Sequence, residues 1–418
     1  MSLFSCMIDW FALQTMSGDK KKIMLLGGLR YLLPVIEVAH KLGLHVITCD
    51  YLPDNIAHKY SDEYHNVSII DKEAVLHLAR KLEIDGIMSF AVDPGVVTAA
   101  YVQEQMGLPS FGPYESVCIL QDKARFREFL RKHRFNCPWS YGFDSVEAAL
   151  AAAEQFTYPA IVKPTDAAGS KGVSRINNVE ELVCAVKDAM KASINGHIIV
   201  EEFIEKQGCS SGSECFAKNG KLIFTSYASQ RFDLTSINPY VPAGTSWPSS
   251  FTVKQEEKLS ADLQRLITLL GMNTTIFNVE VRISRNGEPY IMEVSPRGGG
   301  NCLAEVLELA TGAPLIENAV RACVGLDLKA MPSCEYSGNW LLLMLHSKRD
   351  GIYESLWIHP DYEQYVVSKN IWVQHGDYIN AFRGANNAIG CLFFKCETTA
   401  QVEYLFRDIS AVVKVVLK

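Results

Sequence analysis

The chain has 418 residues, 48% of them hydrophobic and 21% charged, with a formal net charge of −7. That length fills several lobes rather than one core, and the negative balance excludes a general attraction to nucleic acid, so any anion site has to be local. Twelve cysteines include no CxxC pair and no Cys/His cluster, which argues against zinc and against a disulfide framework and for reduced thiols in a cytoplasmic protein.

Residues 1–20 are expected to be an extension. Met1 to Ser17 is apolar but is interrupted by Asp9, lacks a basic start and is shorter than the ~20 residues of a membrane span, so it makes a poor signal peptide. Met16 is a candidate initiator, and no other segment is apolar enough to cross a bilayer.

Residues 21–113 alternate strand and helix. Lys22-Ile23-Met24-Leu25-Leu26, a Gly27-Gly28 turn, an apolar-periodic helix to His40 and His45-Val46-Ile47-Thr48-Cys49-Asp50 form a βαβ unit. Asn66 to Ile70 and Gly86 to Phe90 predict further strands around a helix over 72–82. Ligands of such sheets sit beyond the carboxyl ends of the strands, which makes Arg30, Tyr31 and Asp93 candidate substrate residues. Turn chemistry or surface pairing accounts for each of them equally well. Gly27-Gly28 lacks the GxGxxG spacing, so a dehydrogenase reading rests only on that turn and Asp50.

After Pro113 a basic helix carries Lys123, and an apolar run ends in Lys163-Pro164. The following loop, with Gly169, Ser170, Lys171 and Gly172, is rich in backbone donors that can close over phosphate oxygens, although a glycine-rich hairpin explains it as well. Glu201-Glu202-Phe203-Ile204 ends another buried-looking strand, and Glu214 lies on a strand of the hairpin that turns at Asn219-Gly220. Arg231 precedes a proline-rich loop and is a candidate for holding a carboxylate or phosphate, or else a solvated arginine.

Asn278 to Arg282, an Asn286-Gly287 turn and Tyr290 to Ser295 predict two paired strands leading into Pro296-Arg297-Gly298-Gly299-Gly300-Asn301. Alternation puts Glu280 on one face with Asn278 and Arg282, and Glu293 on one face with Ser295. Carboxylates on otherwise apolar strands need a cation: either Mg²⁺, whose hard oxygen ligands these are, or Arg282 or Arg297 in a structural ion pair.

Taken in order, Lys123, Lys163, the Gly/Ser loop, Glu201 to Ile204, Glu214, Glu280 and Glu293-Val294-Ser295-Pro296-Arg297 resemble the ATP-grasp superfamily. The spacing is most similar to carboxylate–amine ligases, carbamoyl phosphate synthetase, formate-dependent glycinamide ribonucleotide transformylase and biotin carboxylase. The resemblance implies an α/β ATP-grasp fold: a Rossmann-like lobe over 21–113, an ATP-grasp domain over 114–330 with a lid near 139–203, and a small α/β domain over 331–418. It implies ATP and Mg²⁺ (or Mn²⁺) as cofactors, with Lys123 and Lys163 on the phosphates and Gly169, Ser170, Lys171 and Gly172 over them. The strand Glu201, Glu202, Phe203, Ile204 would meet the adenine edge, with main-chain groups of Glu202 or Ile204 bonding its ring, Glu214 would take the ribose, and Glu280, Glu293 and Ser295 would ligate the metal. Ser295 departs from the family's Glu-x-Asn-Pro-Arg motif, where asparagine is usual. Arg297 and Lys163 would be catalytic.

The activity implied is ATP-dependent, ADP-forming ligation of a small-molecule carboxylate to an amine through an acyl phosphate. Bicarbonate or formate activation, and a non-catalytic nucleotide-binding module, are the alternatives. A homodimer without nucleic-acid or membrane partners is expected.

Overall fold

The computed structural model describes residues 20–166, 171–239, 241–407 and 409–418. Its amino-terminal lobe runs β1 (Lys22–Leu26), α1 (Leu33–Lys41), β2 (His45–Cys49), β3 (Glu63–His65), α2 (Lys72–Leu82), β4 (Gly86–Ser89) and α3 (Pro94–Met106). The strands form a parallel sheet in the order β3-β2-β1-β4. Alternation along β1 sends Met24 and Leu26 into the core shared with α3 and the middle of the chain, and Ile23 and Leu25 into the core shared with α1. Each such side chain contributes roughly 1.5–3 kcal/mol of burial.

The strand expected at Asn66 to Ile70 is instead Glu63–His65. Asp71 caps α2 by accepting from Ala74 N, so the run before it must turn: Ile69 is buried as an anchor while Ile70 is exposed.

Helices α4 (Tyr114–Gln121) and α5 (Lys123–Lys132) lead to the segment expected to be the lid. It contains β5 (Ser140–Phe143), α6 (Val146–Ala151), β6 (Ala160–Pro164), β7 (Ser174–Ile176), α7 (Leu182–Ala192) and β8 (Ile198–Glu202), with the antiparallel sheet order β5-β8-β6-β7. Phe156, Val162, Leu182, Val186 and Val200 give the lid a core of its own.

The middle of the chain holds β9 (Ser211–Lys218), β10 (Lys221–Ser226), β11 (Ser229–Phe232), β12 (Pro242–Trp247), α8 (Val253–Leu269), β13 (Thr275–Ile283), β14 (Pro289–Ser295), α9 (Leu303–Thr311) and α10 (Leu315–Cys323). Its sheet is antiparallel, β10-β9-β13-β14.

The remaining elements are β15 (Asn339–Leu345), β16 (Gly351–Ile358), α11 (Pro360–Glu363), β17 (Val366–Ile371), β18 (Tyr378–Ile379), β19 (Gly390–Cys396), α12 (Thr399–Arg407), α13 (Ile409–Val412) and β20 (Val413–Leu417). Strands β16, β18 and β20 form a three-stranded sheet among themselves, in the order β18-β16-β20, whereas β15, β17 and β19 share a sheet with the middle of the chain. The stretch expected as a substrate-side loop supplies β11 and β12, and β12 pairs with β15 from Gly244↔Leu343 to Trp247↔Trp340, giving the order β11-β12-β15-β19-β17. No helix among the described residues is long and apolar enough to cross a membrane.

Candidate active site

Ladder register builds the centre of the site. On β13 the buried Phe277, Val279, Val281 and Ile283 alternate with Asn278, Glu280 and Arg282, and the pairing with β14 places Glu280 opposite Glu293 and Asn278 opposite Ser295. Directly opposed residues lie within ~5.5 Å at Cβ, so the two carboxylates share one space. The side chain of Glu280 has no hydrogen bond or ion pair among the described residues, and burial together with Glu293 pushes its carboxyl above the usual range. The arginines that a structural ion pair would use are engaged elsewhere: Arg282 Nη1 donates to Ile204 O at 3.3 Å, and Arg297 belongs to Asp93.

Two lysines close on this pair. Lys123 opens α5 behind the Asp122 cap; its backbone N–H donates to Thr165 O at 3.1 Å, and its Nζ stands 3.5 Å from Glu293 Oε2. Burial works against its charge, but Glu293 and Asp93 overcome that and raise its pKa. Lys163, from β6, lies 2.5 Å from Glu201 Oε1. Burial holds Lys163 below the ordinary lysine range, with Arg127 and Lys123 adding to the effect against Glu201.

Glu201 also accepts from Arg127 Nε at 2.9 Å, and Arg127 Nη1 donates to Met292 O at 2.8 Å. Burial alone would raise the Glu201 carboxyl; the two cations bring it down to about 2. Its side chain therefore fixes Lys163. Arg127 was not anticipated, although its place four residues after Lys123 on one helix face was a usable signal. Among the adenine-edge candidates, Glu202 N–H is taken by Trp139 O at 2.9 Å, Ile204 O accepts from Arg282, and Phe203 stacks with Arg175.

Arg297 forms a fork with Asp93 of the amino-terminal lobe: Nε to Oδ1 at 2.9 Å and Nη2 to Oδ2 at 2.7 Å, with Nη1 donating to Gly298 O at 3.1 Å. Burial would raise the Asp93 carboxyl, yet Arg297 and Ser295 hold it below the usual range. The Ser295 hydroxyl donates to Asp93 Oδ1 at 3.0 Å and accepts from Gln121 Nε2 at 2.8 Å. It serves first to link Asp93 and Gln121 rather than standing free as a metal ligand.

Glu214 is buried, and Oε1 accepts from Asn278 Nδ2 at 2.8 Å and from Gly299 N at 2.9 Å, while Oε2 is buried without a partner. Burial pushes its carboxyl up to about 8. Arg282, two residues after Glu280, touches Ile204, whereas Asn278, two residues before Glu280, touches Glu214. Glu214 and Ile204 therefore lie toward opposite ends of β13 relative to Glu280.

Arg231 is not brought to the site. Its guanidinium is forked onto Glu403 of α12, and Nε donates to Ser246 Oγ at 3.1 Å. Lys171 is exposed, and Gly172 has a left-handed φ of +66° against Pro164 and Ala192; Gly169 and Ser170 lie outside the described residues. Tyr31 OH donates to Asn301 Oδ1 at 2.9 Å and Arg30 lies over Trp372, so both stand beside the loop that follows Arg297.

The donor set fits a hard divalent cation. Two facing carboxylates, one without a cation partner, leave room for phosphate oxygens and water, and no group of three or more His, Cys, Asp or Glu side chains competes for a metal among the described residues.

Two carboxylates on paired central strands, lysines from α5 and the lid, and a preceding parallel-sheet lobe define an ATP-grasp fold. Residues 156–305 match the ATP-grasp domain family. The chain is 24% identical over 330 residues to the carbamoyl phosphate synthase large chain of Thermotoga neapolitana, covering 75% of this chain and 29% of that one. Among solved structures, phosphoribosylglycinamide synthetase from Anaerococcus prevotii superposes with a TM-score of 0.75 at 24% identity, covering 96% of this chain and 100% of that one. L-amino acid ligase from Bacillus licheniformis gives 0.78 at 19% identity, with 96% and 99% covered. The chain thus carries an ATP-grasp domain within an ATP-grasp fold.

Proposed function

We propose that this protein is an ADP-forming ligase that activates a carboxylate with ATP as an acyl phosphate and transfers the acyl group to an amine. The observation that carries the reading is Glu280, without an ion-pair partner, facing Glu293, with Lys123 beside Glu293 and the charge of Lys163 acting on Glu280. A carboxylate oxygen attacks the γ-phosphorus and ADP leaves; the amine then attacks the carbonyl carbon and phosphate leaves. Both partners of the first step are anions, so the protein's contribution is position and positive charge.

Lys123 and Lys163 hold phosphate oxygens, Lys163 being set by Glu201. Glu280 and Glu293 hold the divalent cation, which neutralises phosphate charge when bound. Arg297 retains N–H groups beyond those given to Asp93 and Gly298 and turns them toward the acyl phosphate oxygens. The lid keeps water from the intermediate. The similarity to named synthetases and a ligase supports this reading.

The test is ADP release by the full chain with MgATP and pools of carboxylates and amines. Release that requires one carboxylate and one amine is expected. Release with bicarbonate or formate alone would replace the ligase by a one-carbon-activating enzyme, and none under any pool would reduce it to a nucleotide-binding module.

A further inference from the structure

The Arg30 guanidinium is half-buried, and its side chain has no hydrogen-bond or ion-pair partner among the described residues. Its neighbour is the Trp372 ring, 5.5 Å away at the centroid. Trp372 follows β17 in the carboxy-terminal segment and is fixed by its backbone N–H donating to Ile389 O at 2.8 Å. Tyr31 meets the same indole edge-on, at 6.0 Å and 82°.

This cluster is tied to the reacting end of the site. Tyr31 OH holds Asn301, and Asn301 and Cys302 take left-handed φ values of 55° and 60°, which few residues other than glycine adopt. The loop held in this way begins at Arg297. Contacts therefore run without a gap from Arg297 through the Gly298–Gly300 segment, Asn301 and Tyr31 to the Trp372 ring and Arg30.

A partly desolvated guanidinium without an anion leaves hydrogen-bonding capacity unused. A cation over an aromatic face is attracted to the ring while its N–H groups stay available to a bidentate oxyanion. We propose that Arg30, backed by Trp372, binds a second acidic group of the substrate pair. The substrate class is then a compound with a carboxylate or phosphomonoester in addition to the carboxylate that is activated. This rests on the ligase reading of the site. It also gives the carboxy-terminal segment a task, the supply of Trp372 as the support for Arg30.

The experiment uses the full chain saturated with Mg²⁺ and a non-hydrolysable ATP analogue, so that the γ-phosphate position is filled. Glutarate, butyrate and inorganic phosphate are titrated separately by calorimetry. Glutarate or phosphate is expected to bind more tightly than butyrate by about tenfold or more, since the added contact is charge-assisted. Glutarate alone identifies a carboxylate, and phosphate alone a phosphomonoester.

Arg30→Gln and Trp372→Ala should each abolish that preference, and Trp372→Phe, which keeps a ring, should retain part of it, all with unchanged analogue binding. Equal binding of the three acids, or a preference that survives Arg30→Gln, overturns the proposal. Failure of the wild-type chain to take up the analogue, read before any acid is added, contradicts the ligase reading and this inference with it.

Discussion

Glu280 and Glu293 face each other across one rung of the β13–β14 ladder, and neither nearby arginine forms an ion pair with Glu280: Arg282 donates to Ile204 and Arg297 to Asp93. Without a bound cation this arrangement is a cost to the fold. Glu280→Gln should raise the thermal midpoint of the metal-free protein, since it removes a buried like-charge contact, while lowering turnover by about 10²-fold or more. A lower midpoint in scanning calorimetry would mean that Glu280 has a stabilising partner.

The Arg127–Glu201–Lys163 triad is the opposite case, a buried carboxylate held down to about 2 by two cations. Its folded pKa is depressed, so its stabilisation is present above the ordinary glutamate value of 4.5 and is lost as the pH falls toward about 2. Glu201→Gln should cost about 3–5 kcal/mol near neutral pH by leaving Arg127 buried and unpaired. Chemical denaturation from pH 7 downward should show the difference between variant and wild type shrinking in acid.

Asp93→Asn removes the charge that orients Arg297. The expected result is a fall in kcat with little change in the KM for ATP, because Lys123 and Lys163 remain in place. Asp93→Glu should not restore it fully, since the fork at 2.9 and 2.7 Å fixes the reach of the side chain. Equal losses in kcat and nucleotide affinity would place Asp93 in nucleotide binding instead.

Gly299 is a packing prediction. A Cβ there would collide with Glu214 Oε1 and come within 2.7 Å of Asn278 Nδ2. Gly299→Ala should cost about 1–3 kcal/mol, read from the denaturant midpoint, and should displace the loop that carries Arg297.

The facing carboxylates and their strands were legible because period-two alternation and an Asn-Gly turn fix register locally, and Glu280↔Glu293 follows from register alone. The lysines were legible from their order along the chain. Less accessible were relations between distant segments: Asp93 meets Arg297 from another lobe, and Arg231 finds Glu403 rather than a substrate. Strands β11 and β12 were hidden for a similar reason. The proline-rich sequence around β12 reads locally as loop, and only the partner β15, far along the chain, makes it a strand on which β11 can pair. Sequence order also does not tell which side of Glu280 a neighbouring strand residue occupies, and only the register places Glu214 opposite Asn278.

The central claim is that Glu280 and Glu293 together hold a divalent cation on the phosphates of ATP. Titration of the protein with Mn²⁺ in the presence of a non-hydrolysable ATP analogue, followed by electron paramagnetic resonance, reads this directly. The account predicts one protein-bound Mn²⁺ that appears only with the analogue and is lost in the Glu280→Gln/Glu293→Gln double variant. Retention of that bound Mn²⁺ in a folded double variant would contradict it.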